Sequence, residues 1–195
     1  HVADKIGQGG ARYFIHSEGE VIIDFTNLDG IEDVDSKFAG FHVASTHGVE
    51  LNNLANLRAG EGGIAVSGQY VTLNNVALKD DASNYQEVGV ALLDGASTVV
   101  MNNVTIQSPH TAGIVVDTAA TVSNIAIDGL ASRGVENWVH IDIEDRATVN
   151  GFTVANSVLG AAAEVSPSHG FWMNPYVSIS GLKFTDSGFH SPSKN

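Results

Sequence analysis

The sequence predicts an all-β solenoid of about six to seven stacked coils over residues 21–186. Three observations predict it. A phrase made of a glycine, a short alternating apolar run, a loop and a second run carrying Asn-Asn recurs, most plainly over Gly63–Leu78 and Gly89–Ile106. The second-half anchors Leu51, Leu73, Met101, Val122, Val149 and Ile179 are 22, 28, 21, 27 and 30 residues apart. Strand-like units with periods in the twenties cannot bury their apolar face alone and must stack on one another. Finally, no helix of ten or more residues can be drawn except weakly over 157–165, where Gly160 interrupts the run.

Taken in order, residues 1–20 are polar and glycine-rich and read as an entry segment or cap. Gly7-Gln8-Gly9-Gly10 lacks the Lys-Ser/Thr and the strand-to-helix setting of a phosphate loop. Val21–Phe25 is the first expected strand. The first half of the repeat then aligns as Phe41-His42-Val43, Ile64-Ala65-Val66, Val90-Ala91-Leu92, Ile114-Val115-Val116, Val139-His140-Ile141 and Phe171-Trp172-Met173. Alternation turns Ile64, Val66, Leu73, Val76, Val90, Leu92, Met101, Val104, Ile114, Val116, Val122 and Ile125 inward. Asn53, Asn75, Asn103 and Asn124 are expected to form one ladder at a sharp corner, with Gly151 and Gly181 continuing its turn, because Asn and Gly tolerate left-handed backbone. From Ser187 the repeat is lost in a C-terminal tail, where Phe184 and Phe189 are placed to plug the core.

The 195-residue chain carries a net charge of −13. That disfavours nucleic acid and anionic membrane as partners, since phosphate contacts rest on Lys and Arg. The chain has no cysteine, hence no disulfide and no thiolate metal site. No apolar run reaches the roughly 18 residues of a membrane-spanning helix. The chain opens at His1 and reads as processed, trimmed or partial.

The runs GIAV…VTLNNVAL, GVAL…VVMNNVTI and GIVV…VSNIAI resemble coils of the right-handed parallel β-helix, the pectate-lyase-like superfamily. That superfamily includes polysaccharide lyases and hydrolases and bacteriophage tailspikes. The resemblance implies carbohydrate handling, an extracellular, cell-surface or virion location, and a homotrimer such as tailspikes form. Of the polygalacturonase motifs only His47-Gly48 and His169-Gly170 stand as fragments.

Two constellations could carry chemistry. With the alignment above, Asp117 and Asp142 fall on neighbouring coils about one strand spacing apart, with His140 and Asp94 close by. Carboxylates so close push one pKa upward and can act as an acid/base pair, at a separation suited to double-displacement glycoside hydrolysis. The same stack reads equally as exposed Asp residues at a coil turn, or as a resting place for an adventitious cation. The second constellation is the variable corner holding Lys79, Asp80, Asp81, Tyr85, Glu87, His110, Arg133 and Glu136. Lys79 or Arg133 with His110 could serve as the cation and base of a polysaccharide lyase. The corner could also bind sugar against Tyr85 or Trp138, or be a solvated loop. Residues 29–35 and Asp142-Ile143-Glu144-Asp145 offer hard oxygens for Ca²⁺ without EF-hand spacing. The histidines lack zinc spacing, so no zinc site is expected and no cofactor is required.

Two functions therefore stand side by side: a domain that binds polysaccharide, with or without cleaving it, and a non-catalytic rod segment of a fibre, phage tail or surface assembly.

Overall fold

The computed structural model describes residues 2–4, 13–26, 32–33, 40–55, 58–59, 62–79, 88–107, 111–133, 139–160 and 169–189. These contain strands and no helix, and the strands form a parallel β-solenoid. A front sheet stacks seven strands: Tyr13–Ser17, Phe41–Ser45, the first part of Gly62–Lys79, Val88–Leu92, Ala112–Val116, Val139–Ile143 and His169–Met173. Each pairs in parallel with the next. A back sheet runs Glu20–Asp24, Gly48–Asn52, the remainder of Gly62–Lys79, Ser97–Gln107, Thr121–Asp128, Thr148–Ala155 and Ser178–Thr185. A short third side adds Ala131–Arg133, Val158–Leu159 and Gly188–Phe189. Hydrogen bonding between coils thus begins at Tyr13, inside the stretch expected to be an entry segment, and reaches Phe189 in the expected tail. Val2–Asp4 lies antiparallel on Tyr13–Ser17.

The alternating residues expected to face inward do so: all twelve are buried, at 1% exposure or less, in one continuous core. Parallel register brings Val66, Leu92, Val116, Ile143 and Met173 into one column and Ile64, Val90, Ile114, Ile141 and Phe171 into another. Branched aliphatic side chains about 4.8 Å apart fill such a column without gaps. At the last coil Phe171, Phe184 and Phe189 form an edge-to-face series with centroids 5.5 and 5.3 Å apart. Phe189 lies over Gly170, where a Cβ would meet its ring.

The corner differs from expectation in a way that reorders the repeat. Each full coil has two left-handed corners on its back side. One column is Tyr70, Thr98, Asn124, Gly151 and Gly181; the other is Asn53, Asn75, Asn103, Gly129, Asn156 and Asp186. Asn124, Gly151 and Gly181 therefore do not continue the ladder of Asn53, Asn75 and Asn103. Met101 pairs with Ile127 rather than Val122. Both corners place a small or amide residue between apolar ones, so the same local pattern marks two different places. The region expected as a weak helix begins with the strand Val158–Leu159, and residues 161–165 lie outside the described residues.

The second corner carries two parallel amide ladders. Asn75 Nδ2 donates to Asn53 Oδ1 at 3.0 Å and Asn103 Nδ2 to Asn75 Oδ1 at 2.9 Å. One residue earlier, Asn74 donates to Asn52 at 2.8 Å and Asn102 to Asn74 at 2.7 Å. The outer ladder ends on Asp24, whose carboxylate accepts from Asn53 Nδ2 at 3.0 Å. That hydrogen bond, with those from Thr26, holds the Asp24 pKa below its ordinary value. Replacing Asn75 (φ 53°) or Asn103 (φ 53°) by Val puts a β-branched residue in the left-handed region and cuts the ladder. Each change should destabilise the fold by about 1–3 kcal/mol in urea or thermal unfolding, and a neutral result would show that the corner does not depend on these residues.

Candidate functional site

The front sheet positions the chemistry. Along Val139–Ile143 and into the following turn, Ile141 and Ile143 point into the core, so Asp142 and Glu144 stand on the opposite face. On the next coil Trp172 pairs with Asp142 in register. Asn174 follows, its amide N–H bonded to the Ile143 carbonyl. Two residues per coil, on two coils, thereby form a square: Asp142 and Glu144 above Trp172 and Asn174.

A cleft of about 390 Å³ opens on this square, lined by Thr111, Val139, Asp142, Glu144, His169, Trp172 and Asn174. Asn174 ties it together. Its Nδ2 donates to Asp142 Oδ1 at 3.1 Å, to the Ile143 carbonyl at 3.3 Å and, more weakly, to Glu144 Oε2 at 3.4 Å. Its Oδ1 accepts from Trp172 Nε1 at 3.4 Å. The indole donor thus fixes which end of the amide faces the carboxylates. His169 stacks obliquely on Trp172, ring centroids 5.2 Å apart at 33°, and the two rings form the open wall of the cleft, with Trp172 45% exposed.

Asp142 is only 8% exposed because its neighbours in register are Val115 on one side and the indole of Trp172 on the other. Removing water from a carboxylate disfavours its charge. This burial first, and the nearby Glu144 charge second, push the Asp142 carboxyl up to about 6, against a smaller lowering from a backbone hydrogen bond at Ile143. The site therefore pairs a carboxyl that can hold a proton near neutrality with a second carboxylate joined to the same amide.

The expected site residues distribute differently. Asp142 is in the cleft, but Asp117 does not stack on it. Register places Val115 beside Asp142, and Asp117 beside Glu144. Asp117 is exposed and its Oδ1 accepts from Thr118 N at 2.8 Å, as a turn residue does. The expected alignment of Val139 with Ile114 is two residues out of register, since Val139 pairs with Ala112 and Ile141 with Ile114. His140, expected beside the aspartates on the outer face, is the residue in the repeat glycine's place. It is buried at 1% with its Nδ1 2.8 Å from Ser132 Oγ. Ser132 makes the room. In Ala112–Val116 the equivalent Gly113 has no space for a Cβ, which would stand 2.5 Å from that same hydroxyl. Asp94 is an exposed turn residue accepting from Thr121 N at 2.9 Å.

Of the variable corner, Lys79 and Arg133 end strands two coils apart and share one column with Gln107 of the coil between them. Asp80, Asp81, Tyr85, Glu87, His110, Glu136 and Trp138 lie outside the described residues. The acidic stretch 29–35 is described only at Glu32–Asp33, which pairs with Arg58–Ala59. Among the described residues no group of three or more His, Asp or Glu is placed to hold a metal ion. In Asp142-Ile143-Glu144-Asp145, Asp142 Oδ1 and Glu144 Oε2 both accept from Asn174 Nδ2. A second, smaller groove of about 220 Å³ lies on the back sheet beside Tyr70, Glu20, His47 and Glu50, where Glu50 is held by Asn74 Nδ2 at 3.1 Å.

The residues missed as site members are Glu144, His169, Trp172 and Asn174. Their signal was present: Asp142-x-Glu144 aligns with Trp172-x-Asn174 once His140 is matched to Gly113 and Gly170.

No family model, curated protein or solved structure matches this chain.

The raised Asp142 carboxyl makes a testable statement about stability. Its pKa rises from 3.8 to about 6 on folding, so the folded chain binds this proton more tightly than the unfolded chain. The stabilisation is present below about pH 4 and is lost as pH rises through about 6. Asp142→Asn keeps an oxygen to accept from Asn174 and removes the charge. It should raise the melting temperature relative to the parent at pH 8, with the difference closing by pH 4; equal melting curves at both pH values would contradict the assigned burial.

Proposed function

We propose that this solenoid binds carbohydrate in the cleft formed by Asp142, Glu144, His169, Trp172 and Asn174. The observation that carries the reading is an exposed indole beside two carboxylates and a primary amide, all on or directly after paired strands of two adjacent coils. A sugar ring offers an apolar C–H face to an aromatic wall and hydroxyl donors to carboxylate oxygens, so it needs both kinds of surface at once. The parallel stack keeps these groups fixed before the ligand arrives, which lowers the ordering cost of binding. The resemblance of the repeat to pectate-lyase-like coils supports the same reading.

Cleavage is the second chemistry the site supports, and one observation favours it: a carboxyl raised to about 6 next to another carboxylate. A protonated Asp142 could give its proton to a glycosidic oxygen while Glu144 acts as base or nucleophile. The rod reading is the competitor, in which the stack itself is the purpose.

The test is a panel of soluble polysaccharides measured for binding and for new reducing ends or unsaturated products. Trp172→Ala should weaken binding about tenfold or more, the worth of one well-placed aromatic contact. Glu144→Gln should abolish cleavage, where there is any, while sparing the binding of neutral polysaccharides. If no member of the panel binds the unaltered protein, the rod reading replaces this one.

A further inference from the structure

We propose that the cleft selects saccharides carrying a free, protonated amino group, of the 2-amino-2-deoxyhexose type, over uronates and neutral sugars. This rests on the carbohydrate reading and sharpens it.

Among the described residues, the polar groups lining the cleft are two carboxylates, an imidazole, a hydroxyl, an amide and the indole N–H, with no Lys or Arg. A uronate carboxylate brought here would meet Asp142 and Glu144 with no described cation to offset it, and like charges at such range repel strongly in a partly dry site. This is the reverse of what a lyase acting on polyuronates needs.

The hydrogen-bonding state says what is still wanted. Trp172 Nε1 holds the Asn174 oxygen, so the amide presents its N–H side to Asp142 and Glu144. One nitrogen then serves both carboxylates, the Ile143 backbone serves Asp142 as well, and both acids line the cleft with acceptor sites to spare. An ionised carboxylate accepts at about four lone-pair sites. A ligand rich in donors satisfies them, and a sugar ammonium brings three N–H donors and a positive charge on one small group. The exposed indole of Trp172 adds a face to which a cation is drawn. Asp142 is more than nine-tenths buried and is still part of the cleft lining, so its charge is poorly solvated until a cation arrives.

The groups facing Asp142 are Glu144 on its own strand, His169, Trp172 and Asn174 on the following coil, and Val115 with the nearby Asp117 on the preceding one. Acidification from pH 7 to pH 5 protonates Asp142, while the sugar amine keeps or gains its proton. Affinity for the amino sugar should therefore fall on acidification, and affinity for a neutral sugar should change little.

The experiment is calorimetric titration of the full chain with short oligomers of glucosamine, N-acetylglucosamine, glucose and galacturonate, at pH 7 and pH 5. The glucosamine oligomer should bind at least tenfold more tightly than the acetylated and glucose oligomers at pH 7, should lose most of that advantage at pH 5, and the galacturonate oligomer should not bind. Glu144→Gln, and Asp142→Asn combined with Glu144→Gln, should erase the advantage and leave binding sensitive to Trp172→Ala. Neutral oligomers binding as tightly as glucosamine, with that sensitivity to Trp172→Ala, would overturn the charge selection and leave the carbohydrate reading standing. An advantage that survives in the double variant would trace to the acidic surface as a whole and also overturn it. If no oligomer binds, the carbohydrate reading falls and takes this inference with it.

Discussion

Everything in this molecule depends on the parallel hydrogen bonding of each coil to the one before and the one after it. That pairing fixes residues into columns, and a column accepts only side chains that tolerate a like neighbour about 4.8 Å away. Aliphatic residues meet the condition by packing, as Ile64, Val90, Ile114 and Ile141 do inside. Asparagines meet it at the corner by passing a hydrogen bond from amide to amide. At the last coil, where the columns end, Phe171, Phe184 and Phe189 from three sides of the coil meet edge to face across the core. A charged column has no comparable solution, so carboxylate runs on the outer face are short: Asp142 lies between Val115 and Trp172, and Asp117 with Glu144 is followed by Asn174.

The same constraint explains how far the sequence could be read. Which residues point inward was legible because alternation along a strand is a local property, and every coil repeats it. Which residues are neighbours across coils was not, because register is a property of the whole turn. Coils differ in length between Leu92 and Ser97 and between Val116 and Ser123, two residues longer in the second case. Nothing in the local pattern marks that insertion. The left-handed corners at Asn103 and Asn124 look alike in sequence yet belong to different columns, and matching them shifted the second half of the repeat. At Trp138 the eye is drawn to the aromatic, while the residue in the glycine's place is His140, admitted because Ser132 is small and can accept or donate a hydrogen bond to it.

These slips matter more for the site than for the fold. A core built from alternation survives a register error of two residues, because inward residues stay inward. A site does not survive it, because its chemistry lies in which outer residues meet. Moved by two, Asp142 leaves Asp117 and comes to lie between Val115 and Trp172. The change is from two solvated like charges to one carboxyl pressed between an isopropyl group and an indole. The first arrangement would raise a pKa by repulsion; the second raises it mainly by loss of water, with Glu144 adding to it.

A solenoid separates its inner and outer demands unusually well. Ile141, Ile143 and Phe171 satisfy the core, and the residues alternating with them are free to vary without altering it. Asp142 stays buried at 8% exposure not because the core requires it but because its neighbours on the outer face shield it. Carrying a carboxylate in that position works against stability at neutral pH, and the chain offsets part of the cost with a single amide that serves both acids and is itself held by the indole. Such an arrangement leaves the acids short of donors on their open side. The ligand that best completes it is one bringing donors and positive charge, which is why charge, more than shape, should decide what this face recognises.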